Sequence, residues 1–143
     1  DLQFENSFPD LLEKDGNKAF SGAVKPSPFQ GQQSLSKFPT RGSVSLGGQQ
    51  VPAELTIYDP SGMKLRLRHH SSSEPVQPAI QFNLWADVDN GFFSPEPWVG
   101  TQNSLNTGMG LVSLQPGESW QWHVDIIPVL NTPVNSPGLT ERK

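Results

Sequence analysis

The chain has 143 residues, enough for one ordinary domain with a real core. Its 14 prolines and 13 glycines are too many breakers for long helices, and no apolar spacing of helical period is sustained, which excludes a helical bundle. A net charge of −4 argues against nucleic-acid binding, no apolar run is long enough for a membrane-spanning helix, and the lack of cysteine excludes disulfides and thiol catalysis while leaving a secreted or a cytoplasmic location open.

Taken in chain order, residues 1–50 read as loop-rich, with disorder in part of them an alternative. Short strands are expected at Leu2–Glu5, Ala19–Val24 and Gly42–Leu46, separated by Asp15-Gly16, Pro26, Pro28 and a Gln/Ser-rich run. From residue 51 the pattern sharpens into the β-sandwich core expected over 51–128. Ala53–Tyr58 alternates, Asp59-Pro60-Ser61-Gly62 supplies a turn, and Met63, Leu65 and Leu67 follow at period two against Lys64, Arg66 and Arg68. That is a hairpin with one buried and one wet face. Ile80, Phe82 and Leu84 repeat the alternation against Gln81, Asn83 and Trp85, and Asp89-Asn90-Gly91 turns the chain into a strand starting at Phe92. Pro116-Gly117 suits a type II turn, so Leu111–Leu114 and Trp120–Ile127 are expected to pair across it. Residues 129–143 read as a loosely held tail. The class is all-β, an antiparallel sandwich. The start at Asp1, with neither initiator Met nor signal peptide, suggests a processed product or a fragment of something longer.

Catalytic motifs are scarce. No paired histidines stand at metal spacing, and there is no Gly-rich phosphate loop or nucleophile elbow. His69 and His70 are adjacent, so on a strand they point to opposite faces and cannot share an ion. Both read as surface or hairpin residues, and His123 reads as structural. Glu96 stands apart: it follows Phe92-Phe93, is bracketed by Pro95 and Pro97, and precedes Trp98. Neither proline can donate to a ladder, so the carboxylate is expected at a strand end beside an aromatic plane. An aromatic face and a carboxylate are what a sugar ring needs, the first for its C–H face and the second for its hydroxyls. A Glu in a proline-bounded loop beside a core Trp is the plainer alternative.

The segments Phe82-Asn83-Leu84-Trp85, Gly91-Phe92-Phe93-Ser94-Pro95-Glu96-Pro97-Trp98-Val99-Gly100, Asn103-Ser104-Leu105-Asn106-Thr107-Gly108 and Leu114-Gln115-Pro116-Gly117-Glu118 resemble, in order and spacing, the C-terminal part of the aldose 1-epimerase (galactose mutarotase) family. The resemblance covers roughly residues 80–127. It implies a sandwich of the galactose mutarotase-like type, of which this chain would be only the C-terminal part. It implies interconversion of the α and β anomers of a hexose such as glucose or galactose, with no metal or organic cofactor. In that family a glutamate takes the proton of the anomeric hydroxyl while a histidine protonates the ring oxygen. Glu96 falls on the base position, and Trp98, Gln102 and Asn103 are implied to contact the sugar. The acid histidine belongs to the family's N-terminal half, so a second polypeptide or N-terminal fragment is implied to supply it and to complete the sandwich. A non-catalytic carbohydrate-binding or structural sandwich, and an accessory domain of a larger carbohydrate-active enzyme, remain open beside this reading.

Overall fold

A computed structural model describes residues 1–48, 52–72 and 80–129. Ten strands form two antiparallel sheets: β1 (Gln3–Asn6), β2 (Asp10–Lys14), β3 (Phe20–Pro26), β4 (Gly31–Ser34), β5 (Arg41–Gly47), β6 (Ala53–Tyr58), β7 (Lys64–Ser71), β8 (Ile80–Asp87), β9 (Phe92–Val99) and β10 (Trp122–Val129). One sheet runs β10-β7-β6-β1-β4 and the other β3-β2-β5-β8-β9. The single α-helical turn among the described residues is α1 (Ser104–Thr107). The architecture is the all-β sandwich that the breaker content and period-two runs point to.

The inner faces bury a continuous apolar core. Phe4, Phe8, Leu46, Leu55, Ile80, Phe82 and Leu84 are fully buried, each contributing roughly 1.5–3 kcal/mol of burial. Phe4 packs its ring against Phe93 of the opposite sheet at 5.2 Å, and Phe82 meets Phe8 edge-on at 5.4 Å. Tilted and edge-to-face geometries of this kind are what aromatic quadrupoles prefer. The two sheets cover one another across this core. The inner face stays open at the β10 edge, where Val124 and Ile126 lie opposite His69 and Leu67 but are exposed.

Several sequence expectations change here. Residues 1–48 are not mainly loop: they supply β1 to β5, including β2 and β4, which the sequence did not signal. β4 is the polar run Gly31–Ser34, held as an edge by its register with β1. Leu111–Leu114 is not a strand. The turn at Pro116-Gly117 does form, with Gly117 at φ 85° and the Glu118 amide donating to the Gln115 carbonyl at 2.9 Å, but β10 pairs over its whole length with β7. A long register on a distant strand outweighs the local hairpin, because β7 has a free edge that eight residue pairs can occupy. The β6–β7 and β8–β9 hairpins form as expected, the second through Val88–Asn90 and Gly91 at φ 71°. Within the first, however, Met63 is exposed and the inward row is carried on by His69. The tail from residue 130 lies outside the described residues.

Candidate functional site

The register of β8 against β9 decides which side chains meet. Ile80, Phe82 and Leu84 face the core, so Gln81, Asn83 and Trp85 face outward. Opposite them on β9 stand Trp98, Glu96 and Ser94. Ser43 and Ser45 of β5 extend the rows on the other side of β8. Glu96 and Trp98, two residues apart on one strand, thus share one outer sheet face.

Glu96 is not at a strand end. β9 runs unbroken from Phe92 to Val99 through both prolines. It can do so because β9 is the sheet's edge and alternate residues of an antiparallel strand direct their backbone groups toward and away from the neighbour. Glu96 opposes Asn83 on the paired side, while Pro95 and Pro97 fall in the alternate set, where a missing N–H breaks no bond. The bracket also removes two donors from an exposed edge, which discourages strand addition there. The carboxylate is accordingly anchored at mid-strand, more rigidly than a loop position would hold it.

Its surroundings form a connected polar group. The Asn83 side chain, nearly fully buried, donates from Nδ2 to Glu96 Oε2 at 2.9 Å. The Asn83 Oδ1 accepts from Ser45 Oγ at 3.1 Å and from Lys14 Nζ at 3.3 Å. Lys14 Nζ also donates to Ser43 Oγ at 3.3 Å. A register shift between Leu12 and Lys14 marks a bulge in β2, the kind of irregularity that re-aims a strand's last side chains. Burial holds the Lys14 ammonium below the usual lysine range, offset in part by the attraction of Glu96 and helped by the repulsion of Lys18.

Beside this group, Lys14, Ser45, Gln81, Trp98, Thr101 and Gln102 are among the residues that line a small cleft, with Leu12 and Phe20. Its free interior of about 10 Å³ is the room of one water. Gln81 is spent on structure: it is buried and its Nε2 donates to the Gly100 carbonyl at 2.6 Å, holding the loop after β9. Thr101 does the same, donating to the Met109 carbonyl at 2.6 Å. A wider depression of about 390 Å³, lined by Glu5, Gln30 and Glu54 among others, lies on the opposite sheet. Its lining has carboxylates but no aromatic side chain, whereas Phe20 and Trp98 line the smaller cleft.

No protein-family model, curated protein or solved structure matches this chain. The site must stand on its geometry.

Of the residues singled out by sequence, the fold brings Glu96 and Trp98 onto one face and leaves Gln102 exposed in the lining of the cleft, its carbonyl accepting from the Phe20 amide at 3.5 Å. Asn103 is drawn elsewhere. It is exposed, at φ 69°, and its Oδ1 accepts from Asn106 Nδ2 at 2.5 Å within the turn that starts α1. The three histidines are all remote from Glu96. His69 is not a surface residue: it is fully buried between the sheets, with Nδ1 accepting from Trp122 Nε1 at 3.2 Å and its ring edge-on to Phe82 at 4.7 Å. Burial, with the neighbouring His70, lowers it from 6.5 to about 4. His70 and His123 stack at 5.1 Å on the far outer face, where His70 pairs with Asp125 at 3.2 Å. The adjacent His69 and His70 do point to opposite faces.

Sequence reasoning missed Lys14, Ser45 and the role of Asn83. The period-two run of β8 already places Asn83 outward. Nothing in the sequence announces that β2 and β5 lie beside it, since those pairings span distant parts of the chain. Among the described residues no cluster of three or more His, Asp or Glu side chains is arranged to hold a metal.

Proposed function

We propose that this chain acts on the anomeric centre of a hexose as an aldose 1-epimerase (mutarotase) or a component of one, with Glu96 as the general base. The observation that carries the reading is the Asn83 Nδ2 bond to Glu96 Oε2 at 2.9 Å. It fixes one carboxylate oxygen of a side chain that shares its sheet face with Trp98. A base must be positioned before its basicity matters, and a mid-strand carboxylate held by a buried amide is positioned. Trp98 offers its plane to the apolar side of the ring, and the sandwich is of the class the family resemblance implies. Sugar binding places the anomeric hydroxyl against Glu96, which removes its proton as the ring oxygen is protonated. The C1–O5 bond opens, rotation about C1–C2 follows, and closure gives the other anomer.

A binding-only reading is favoured by one finding: no histidine of this chain stands near Glu96 to serve as the acid. Polarimetry of freshly dissolved α-glucose or α-galactose separates the two. Mutarotation faster than the buffer rate, lost by about 10²–10⁴-fold in Glu96→Gln, supports the base. Saccharide affinity with no acceleration leaves only binding, and an unchanged rate in Glu96→Gln removes Glu96 from the chemistry.

A further inference from the structure

Among the described residues the two sheets end in four edge strands, and the β10 edge is the least protected of them. We propose that β10 pairs with β10 of a second copy of this chain, antiparallel about a two-fold axis at Val124, joining two five-stranded sheets into one. Glu96 lies on the other sheet, so the proposal is independent of the mutarotase reading.

The four edges differ in what they offer a further strand. On β9, Pro95 and Pro97 remove donors; β4 is four polar residues long; β3 meets its neighbour through a register shift. β10 is eight residues long and in register with β7 from end to end. That pairing also fixes which backbone groups are left over. The Ser72 amide donates to the Gln121 carbonyl at 2.9 Å, so the odd-numbered residues turn toward β7. Trp122, Val124 and Ile126 therefore turn their N–H and C=O groups to the open side, and Pro128, which has no N–H, ends that row.

The same three residues carry apolar side chains. They stand opposite Ser71, His69 and Leu67 on the inward side of the sheet, yet all three are exposed, Ile126 by 65%. Large apolar groups beside unpaired backbone groups on a long edge are what strand addition uses.

The sequence of β10 selects the partner, because it complements itself. Hydrogen bonds close only where even-numbered residues oppose even-numbered ones, so the two-fold must pass through a residue. At Val124 it sets Trp122 against the partner's Ile126 and Val124 against the partner's Val124, each pair exchanging both of its backbone bonds. His123 meets the partner's Asp125 in the pairs between, where cross-strand side chains come closest. An axis at His123 or Asp125 sets like residues against each other, and one at Ile126 sets Val124 against a proline and loses a donor. Asp125 already pairs with His70 at 3.2 Å, and His70 stacks on His123 at 5.1 Å. In the dimer each Asp125 lies between an imidazole of its own chain and one of the partner's.

Sedimentation equilibrium of the full chain tests this, with amide hydrogen exchange to read the register. From about 1 μM to about 1 mM the mass should climb from 15.7 kDa toward twice that value. The amides of Trp122, Val124 and Ile126 should gain protection over the same range, because the partner supplies their acceptors. His123→Glu changes an exposed side chain and sets like charges opposite, so it should raise the dissociation constant at least about tenfold. Val124→Pro removes the donor at the axis without touching a bond to β7, and should give a monomer with an unaltered far-UV spectrum. A chain that stays at 15.7 kDa throughout overturns the proposal. A dimer that His123→Glu leaves as tight as before overturns it too. So does protection of the three amides that is independent of concentration, which would put another segment of the same chain on this edge.

Discussion

On the outer face of the β10-β7-β6-β1-β4 sheet, charged and polar groups are matched neighbour to neighbour. Arg68 faces Glu54 at 3.3 Å, His70 faces Asp125 at 3.2 Å, and the Tyr58 hydroxyl bonds Glu5, which raises the phenol above its usual range. On the outer face of the other sheet, Lys14 and Glu96 do not close directly on each other; a buried asparagine stands between them. The first arrangement satisfies charge locally, in water, at little gain. The second holds two opposite charges apart in a partly buried spot, each bonded to the asparagine and neither closed on the other. The proposed site rests on that contrast more than on the count of charges.

The comparison can be pressed through stability. Phe82→Ala removes the ring that lies beneath the site and touches both Phe8 and His69, and it should cost about 3–5 kcal/mol in urea unfolding. A loss under ~1 kcal/mol would mean that the sheet carrying Glu96 is not seated on this core.

His69 gives the next effect, and its sign follows from its environment. Its folded value of about 4 lies below 6.5, so between those limits the unfolded chain binds more protons. Stability should therefore be intact above pH 6.5, fall as pH drops toward 4, and level off below, by about 3 kcal/mol in all. The His69→Leu variant should lack this fall, whereas replacing exposed His123 should keep it. An identical pH profile in His69→Leu would show that the buried ring is not the titrating group.

The smallest effect belongs to the matched face. Removing Arg68 or Glu54 should change stability by roughly 0.2–1 kcal/mol, and less at high salt, as solvated pairs do. A loss of several kcal/mol from either would erase the distinction between the two faces.

The parts of this molecule legible in its sequence are those written in local periodicity. Ile80, Phe82 and Leu84 announced β8, Ala53–Tyr58 and the Leu65–Leu67 row announced a hairpin, and Gly91 announced the turn into β9. β2 and β4 were not legible, because Asp10–Lys14 and Gly31–Ser34 lack a clean alternation and become strands only through partners far along the chain. Glu96 stands out by its prolines, but they mark an edge strand, not a strand end. His69 was hidden for the same kind of cause. Its inward position follows from continuing the Leu65–Leu67 row by one step, but a histidine there contradicts composition rules for a core. Lys14 is the clearest case of what a single sequence conceals, since it reaches the site by a bulge and a nonlocal register.

The two faces are tested against each other most directly by exchange NMR on ¹³C-labelled glucose at anomeric equilibrium. The wild-type chain and the His70→Ala/His123→Ala double variant should give equal α–β exchange above the buffer rate, and Glu96→Gln should give the buffer rate alone. Exchange that persists in Glu96→Gln, or that vanishes with the two histidines of the far face, would contradict the assignment of the site to Glu96 and its sheet.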